Sequence, residues 1–149
     1  MVLRWLWVIR NFILKIMNYR SIGARALVIK DDEVLLIRHT YESGWFTIGG
    51  AVDKGETFVQ AAIRELQEEV GVTPTEPPVL FGVYFNIYFG RDNYIAFYIV
   101  KEFRIEEVYS HEIAEKKWFK FDALPEGISP ATKRRIEEYL GQREKSEKW

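Results

Sequence analysis

The 149-residue chain contains no cysteine, only five prolines and no long uninterrupted apolar run. The lack of cysteine excludes a disulfide scaffold, a thiolate zinc site and a cysteine nucleophile, and it suits a reducing cytoplasm. Hydrophobic residues make up 48% of the chain and charged residues 29%, as in a folded globular protein rather than a disordered one. The length predicts a single domain with one hydrophobic core.

Acidic residues are missing from the first thirty positions, where six of the 21 basic residues lie. The basic residues there are Arg4, Arg10, Lys15, Arg20, Arg25 and Lys30. The rest of the chain holds 15 basic and 22 acidic residues, a net charge of −7. An acidic body disfavours broad nucleic-acid binding, which needs clustered lysine and arginine. A polyanionic substrate would have to be bound through a metal ion instead.

Residues 1–20 form a separate segment with the pattern of an amphipathic helix. Its polar wheel face carries Arg4, Asn11, Lys15 and Asn18, and its apolar face carries Trp5, Ile9, Phe12 and Ile16. Charges interrupt it too often for a membrane-spanning helix, and it lacks the small-residue cleavage site of a secretory signal. Two interpretations stay open. We favour packing on the domain or on a second subunit, as in a homodimer; the alternative is peripheral contact with a membrane interface.

Helix and strand signals alternate over residues 21–140, which we predict to be the folded domain. Strands are predicted over 24–29, 34–37, 79–89, 94–103 and 118–121, and helices over 57–70 and 129–140. Thr57 and Gln60 form a capping box, Gly71 suits the helix C-terminus, and Ser129-Pro130 opens the last helix. Strands before, between and after helices predict an α/β protein with a mixed sheet covered by helices. The charged tail, 141–149, is expected to fray.

The helix over 57–70 brings three glutamates together. Glu65, Glu68 and Glu69 have the i, i+3, i+4 spacing that places side chains on one helix face. Ala61 and Ala62 are predicted to share that face and leave it open. The predicted core stripe is Val59, Ile63, Leu66 and Val70. Such carboxylates repel each other, and Mg²⁺ or Mn²⁺, which prefer oxygen ligands, would reverse that repulsion. Taken alone, the helix fits a solvated acidic surface better.

The sequence before and around this helix favours a site. Gly49, Gly50 and Gly55 allow close backbone approach to a ligand. The fixed positions Gly50, Glu56, Arg64-Glu65-Leu66, Glu68-Glu69 and Gly71-Val72, at these spacings, resemble the complete Nudix box. The resemblance extends more loosely over residues 22–140. Ile48 stands where the family often has proline, a departure that touches no ligand.

The resemblance to the Nudix hydrolases implies an α/β/α sandwich that uses Mg²⁺ or Mn²⁺ to hydrolyse a nucleoside diphosphate linked to another moiety. Water attacks phosphorus, and the metal neutralises charge and generates the nucleophile. Carried over by position, Glu65, Glu68 and Glu69 would bind the metal, with the Gly50 carbonyl as a further ligand. Arg64 would orient the glutamates and pair with Glu56. The general base stays open between a box glutamate such as Glu68, the later Glu112 and the adjacent His111.

Substrate contacts are expected from rings that stack on a base and from cations that meet phosphates. The candidates are Trp45, Tyr88, Arg25 and Arg38, although each also fits a core or surface role. A small nucleotide is the expected partner and the cytoplasm the expected location, with membrane-peripheral placement left open. The alternatives are an RNA 5′-pyrophosphohydrolase, which the acidic body disfavours, and a catalytically idle nucleotide-binding or regulatory module, which the intact glutamates disfavour.

Overall fold

The structure is a computed structural model that describes residues 2–17 and 19–149. Its helices are α1 (Val2–Ile16), α2 (Phe58–Glu65), a π-helical turn (Leu66–Val70) and α3 (Pro130–Tyr139). Its strands are β1 (Ser21–Lys30), β2 (Glu33–His39), β3 (Ile48–Ala51), β4 (Val72–Pro74), β5 (Val79–Tyr88), β6 (Arg91–Val100), β7 (Phe103–Ile105) and β8 (Ile113–Lys120). Asn18, placed on the polar wheel face above, lies outside the described residues.

The main sheet is mixed, as predicted. Its strand order is β5-β6-β1-β2-β8, and β3 pairs with β1. The central strands β1 and β6 run parallel, whereas the other pairs in this sheet are antiparallel. Strands β4 and β7 form a separate two-stranded sheet. The parallel pair is possible because α2 and its flanking loops lie between β1 and β6 in the chain.

Alternating side chains of the central strands bury both faces of the sheet. On one face Ala24, Ala26 and Val28 pack in a cluster with α2. On the other face Leu27 and Ile29 pack in a cluster that reaches α3. The period-two alternation explains why one strand serves both layers. The molecule is therefore an α/β/α sandwich, as expected.

Several predicted elements have different bounds in the structure. Strand β6 begins at Arg91, so the hairpin turns at Phe89 and Gly90, which both have positive φ, and not over residues 90–93, the gap between the two predicted strands. Phe103 belongs to the separate strand β7, and the last strand begins at Ile113 rather than at Trp118. Strand β3 was not predicted because its glycines hide the hydrophobic alternation of a strand.

The core stripe of α2 is confirmed at Val59, Leu66 and Val70 but is wider than predicted. Ala61 and Ala62 are fully buried, and with Leu66 and Val70 they form the face that packs on the sheet. The expectation that the two alanines leave the glutamate face open is therefore wrong. Small side chains at the contact let the helix lie close to β1 and β3, which brings its glutamates near the sheet backbone.

The expectation of a frayed tail is wrong as well. The Phe85 amide donates to the Glu147 carbonyl at 2.8 Å, and the Trp149 amide donates to the Phe85 carbonyl at 2.9 Å. The Trp149 ring lies 5.6 Å from the Phe97 ring and 5.7 Å from the Tyr84 ring. Charged composition predicted fraying, but the Trp149 ring and hydrogen bonds to the tail backbone hold the tail on the α3 side of the sheet.

We expect Trp149→Ala to lower the free energy of unfolding by about 2 kcal/mol, because it removes a half-buried ring from an aromatic cluster. Chemical denaturation followed by circular dichroism measures this loss. Trp5→Ala is the matched control, since the Trp5 side chain is 64% exposed and should change stability by less than about 0.5 kcal/mol. Equal effects of the two substitutions would contradict the anchoring role of Trp149.

Candidate active site

A cleft of about 670 Å³ opens between the end of α2 and the loop before β8. It is lined by Arg64, Glu65, Gln67, Glu68 and Glu69 on one side and by residues 108–112 on the other. The structure therefore brings the three box glutamates and Glu112 to one place. The site residues Gly50 and Arg64 lie at the same end of the sheet, as the contacts below show.

The glutamates stand at a change in helix geometry. The capping box predicted at Thr57 and Gln60 is present, and the helix ends at Gly71 with φ of 72°. Between Leu66 and Val70 the helix winds as a π turn, which has more residues per turn than an α-helix. Glu69 is consequently buried at 7% exposure, whereas the neighbouring Glu68 side chain stays 62% exposed.

The backbone of strand β3 packs against two of the box glutamates. The Gly49 amide donates to Glu69 Oε2 at 3.0 Å. Gly50 lies so close to Glu65 that a β-carbon at Gly50 would be 2.6 Å from Glu65 Oε1. A β-carbon at Gly49 would be 2.2 Å from the Ala24 carbonyl oxygen, and Gly49 has φ of 138°. Both glycines are therefore required by close approach, one to a carboxylate and one to the sheet.

Gly50→Ala should lower kcat by at least about tenfold, because the new methyl group displaces the Glu65 carboxylate. Gly50 is not among the glycines with positive φ, so alanine imposes no backbone strain there. Gly82→Ala is the matched control, since its β-carbon would meet only the Tyr84 ring at 3.1–3.2 Å, away from the cleft. Steady-state kinetics of both variants test this, and an unchanged kcat for Gly50→Ala would contradict the placement of Glu65.

Arg64 is the centre of a dense ion-pair network. Its Nε and Nη2 donate to the two carboxylate oxygens of Glu56 at 2.7 and 3.0 Å. Its Nη1 donates to Glu65 Oε1 at 2.8 Å, and Nη2 also donates to the Ala51 carbonyl at 3.0 Å. Glu68 is a weaker partner at 3.4 Å. The pairing of Arg64 with Glu56 is present as the resemblance implied, and Arg64 contacts two of the box glutamates.

Burial and mutual repulsion dominate the electrostatics of the cleft. Burial, and secondarily the charge of Glu65, raises the pKa of Glu69 to about 8. Burial also raises the pKa of Glu65, against the hydrogen bond from Arg64, and Glu112 adds to the rise at both groups. The Arg64 hydrogen bonds lower the pKa of Glu56. The cleft therefore holds several carboxylates close together. The hydrogen bonds and positive charges of the chain do not fully offset the cost of their burial and mutual repulsion.

The loop before β8 is fixed to the end of β2. The Thr40 amide donates to the Glu112 carbonyl at 2.8 Å, and the Thr40 hydroxyl donates to the His111 carbonyl at 3.2 Å. The Glu112 and His111 side chains are both exposed at the cleft. This attachment holds a carboxylate and an imidazole opposite the box glutamates without burying either.

The donor set of the cleft fits a divalent cation. Carboxylate oxygens are the ligands that Mg²⁺ and Mn²⁺ prefer, and the raised pKa values of Glu65 and Glu69 mark a place where a cation is stabilising. Within residues 2–17 and 19–149, no three acidic or histidine side chains converge tightly enough to enclose a metal. Mg²⁺ is commonly held by one or two carboxylates, with water and substrate phosphates as its other ligands.

The four substrate-contact candidates fall in two places. Neither Arg25 nor Tyr88 is among the residues that line the cleft, but the charge of Arg25 lowers the pKa of Glu69 and opposes the burial that raises the pKa of Tyr88. Trp45 is buried in the α3-side cluster, and the Arg38 guanidinium lies 5.4 Å from its ring. Arg38 also pairs with Glu115 at 2.8 Å. The structure does not bring Arg38 and Trp45 to the carboxylates.

Sequence reasoning missed Tyr41 beside the cleft. Its ring stacks on His39 at 4.8 Å and lies 5.6 Å from the Trp7 ring of α1. Burial, Glu112 and Glu69 raise the pKa of Tyr41, while burial and Arg25 lower the pKa of His39 to about 4. His39 is thus a neutral, buried ring that supports Tyr41. Only the position of Tyr41 after the end of β2 hinted at this role.

Known proteins share both the sequence pattern and the fold. The family model described as NUDIX domain matches residues 20–140. The NAD-capped RNA hydrolase NudC of Vibrio vulnificus is 35% identical over 111 residues, which cover 66% of this chain and 38% of that protein. The ADP-ribose pyrophosphatase of Methanocaldococcus jannaschii is 36% identical over 67 residues, covering 43% of this chain and 39% of that protein. The chain thus matches less than half the length of either relative.

Among solved structures, the MutT NUDIX hydrolase from Burkholderia pseudomallei superimposes with a TM-score of 0.71 and 27% identity. That alignment covers 79% of this chain and 96% of the solved one. The match spans the sandwich, and the box glutamates, Arg64 and Gly50 lie within the residues that the family model covers. The chain belongs to the NUDIX domain family.

Proposed function

We propose that the protein hydrolyses the pyrophosphate bond of a nucleoside diphosphate linked to another moiety, giving a nucleoside monophosphate and a phosphorylated product. The observation that carries this proposal is the single cleft shared by Glu65, Glu68, Glu69 and Glu112, ordered by Arg64. Family membership supports the reaction class. A diphosphate is a polyanion, so it requires cationic charge that this acidic cleft lacks without a divalent metal.

Glu65 and Glu69 would hold Mg²⁺ or Mn²⁺, with the Gly50 carbonyl as a further ligand and the exposed Glu68 as a ligand through water. When bound, the metal supplies charge neutralisation at the phosphate oxygens and lowers the pKa of water. Arg64 orients Glu65 by its 2.8 Å hydrogen bond and is itself held by Glu56. The Gly49 amide fixes the Glu69 carboxylate. These contacts place the carboxylates before substrate arrives, which reduces the reorganisation that catalysis requires.

Glu112 is our candidate for the general base, and Glu68 is the second. Glu112 is exposed at the mouth of the cleft and faces the box glutamates, so it can accept a proton from a water beside the substrate. Glu68 shares the exposure but also contacts Arg64 at 3.4 Å. If Glu112 is the base, Glu112→Gln should reduce kcat more than Glu68→Gln does, with the metal requirement unchanged.

We assign the nucleoside moiety to the region beside the cleft that holds Arg25, Tyr41 and Tyr88. Arg25 supplies positive charge near the carboxylates, and the tyrosine rings provide surfaces for stacking on a base. We propose a small substrate such as a sugar nucleotide or a dinucleotide. RNA is the second candidate, favoured by the similarity to an enzyme named for NAD-capped RNA.

The experiment is a nucleotide panel assayed with Mg²⁺ and with Mn²⁺, with products separated by chromatography. The panel includes ADP-ribose, NAD, sugar nucleotides, nucleoside triphosphates and RNA with triphosphate or NAD ends. We expect cleavage of a small diphosphate, release of a nucleoside monophosphate, and loss of activity on chelation. Cleavage of RNA ends alone would favour the RNA function. Nucleotide binding without cleavage would favour a binding module and contradict the proposal.

A further inference from the structure

The N-terminal helix α1 contacts the domain through the side that carries Asn11 and Trp7. Asn11 is only 1% exposed, and the Arg91 guanidinium donates to its Oδ1 at 2.7 Å. Trp7 packs edge-on against Phe89, with ring centroids 5.1 Å apart. These contacts hold one side of the helix against the β5–β6 hairpin and the end of β2. Packing on the domain is one of the two arrangements favoured from the sequence, which does not specify the side of the helix that makes the contact.

The apolar side of α1 therefore faces away from the domain. Its large side chains are at least half exposed: Trp5, Leu6, Ile9, Phe12, Ile13 and Ile16. On a helix of about 3.6 residues per turn they cover an arc of about 120°, opposite Asn11. We call these six residues the outer face. A contiguous apolar patch of this kind marks an interaction surface in a folded protein.

Basic residues border the outer face on both edges. Arg10 lies along one edge, and Arg4 and Lys15 lie along the other, all three exposed. No acidic residue occurs among the first thirty positions, whereas the rest of the chain carries a net charge of −7. Positive charge is thus concentrated beside the outer face.

We propose that α1 docks on the surface of an anionic phospholipid bilayer and lies in the plane of the interface. The outer face enters the acyl boundary, and Arg4, Arg10 and Lys15 meet lipid phosphates. The helix of fifteen residues is about 22 Å long, shorter than the hydrocarbon core of about 30 Å. Within the described residues, every helix is too short or too polar to cross a bilayer.

Charge favours lipid over a second copy of the chain. Two copies paired through their outer faces would bring together only basic edges, and like charges across such an interface are destabilising. An anionic surface neutralises the same edges. The proposal concerns the N-terminal helix and does not depend on the hydrolytic activity.

The test is flotation of the full chain with phosphatidylcholine vesicles, with and without phosphatidylglycerol, at low and high salt. We expect binding to the anionic vesicles that weakens with salt. Ile9→Asp should reduce binding at least tenfold, since it places a charge in the acyl boundary. Val79→Asp, on β5 and 64% exposed, is the matched control and should bind like wild type.

A second pair of variants tests how much charge contributes to vesicle binding, separately from the apolar side chains. Arg10→Glu should weaken binding to anionic vesicles by roughly 30-fold, from about 1 kcal/mol for each unit of charge near the surface. Lys133→Glu, which reverses an exposed charge on α3, should not weaken this binding. Phe12→Asp replaces Ile9→Asp if thermal melting shows that the latter fails to fold.

Three results would overturn the proposal. They are no flotation of wild type at low salt, equal binding to neutral and anionic vesicles, and binding unaffected by Ile9→Asp or Phe12→Asp. Light scattering tests whether the outer face instead pairs with a second copy of the chain. A mass of twice 17.6 kDa for wild type that Ile9→Asp returns to the monomer value would assign the outer face to a second copy instead.

Discussion

Glu69→Gln should lower kcat by about a hundredfold or more, because it removes a carboxylate that would hold the metal in the proposed reaction. Glutamine keeps the size of the side chain and the oxygen that accepts from the Gly49 amide at 3.0 Å. The substitution therefore removes charge without removing packing. Steady-state kinetics over a range of Mg²⁺ or Mn²⁺ concentrations measure the loss, and an unchanged kcat with an unchanged metal requirement would contradict the role of Glu69 as a ligand.

The same substitution should stabilise the metal-free protein. Burial raises the pKa of Glu69 to about 8 from an ordinary value of 4.5. The folded state therefore binds this proton more tightly than the unfolded state, and its contribution to stability is full below pH 4.5 and is lost as the pH rises toward 8. At pH 8 we expect Glu69→Gln to unfold with a free energy about 2 kcal/mol higher than wild type in the presence of a chelator.

A buried glutamate outside the cleft provides the matched control. Glu138 accepts hydrogen bonds at 2.8 Å from the Tyr84 hydroxyl and from Arg135. Glu138→Gln should leave kcat unchanged and lower the free energy of unfolding by about 1–3 kcal/mol, since Arg135 loses its ionic partner. Thermal melts across pH distinguish the two cases. A stability loss for Glu69→Gln at pH 8 would contradict the uncompensated charge assigned to Glu69.

Arg64→Lys should reduce kcat by about a hundredfold although it preserves the charge. The Arg64 guanidinium donates to both oxygens of Glu56 and to Glu65 at once, and a lysine ammonium cannot match that planar geometry. Glu65 then loses its fixed orientation, and displacement of a catalytic group by about 1 Å costs on the order of a hundredfold. We expect the effect in kcat, measured with the substrate that the panel identifies.

An arginine in an ion pair away from the cleft controls for the chemistry of the substitution. Arg143 Nε donates to Glu137 Oε2 at 2.8 Å on the surface near α3. Arg143→Lys should leave kcat and stability close to wild type, because exposed pairs contribute little. If Arg64→Lys behaves like Arg143→Lys, the positioning role of Arg64 is wrong.

The sequence predicted which residues meet at the cleft better than it predicted the geometry of the helix that carries them. Fixed spacing identified the glutamates and Arg64, and the capping box at Thr57 marked the start of α2. A wheel with an even 100° step could not reveal the π turn over Leu66–Val70, because π winding gives no composition signal of its own. For the same reason the wheel could not show that Glu69 is buried while Glu68 is exposed.

Contacts between distant parts of the chain determine several features that local sequence patterns did not predict. Periodicity marked the apolar face of α1, but the buried bond between Asn11 and Arg91 determines which side meets the domain. Ala61 and Ala62 are too small to register as a core stripe, yet close packing on β1 and β3 buries them. Trp149 holds a tail whose charge predicted fraying. In each case the partner lies far away in the sequence.

The most direct test of the proposed reaction is hydrolysis in water labelled with oxygen-18, using the substrate that the panel identifies. Wild type and Glu69→Gln are run side by side, and the products are analysed by mass spectrometry. We predict one labelled oxygen on a phosphate group of one product, formed by wild type and nearly absent with Glu69→Gln. Label on a carbon of either product, or equal labelling by both proteins, would contradict water attack on phosphorus at this cleft.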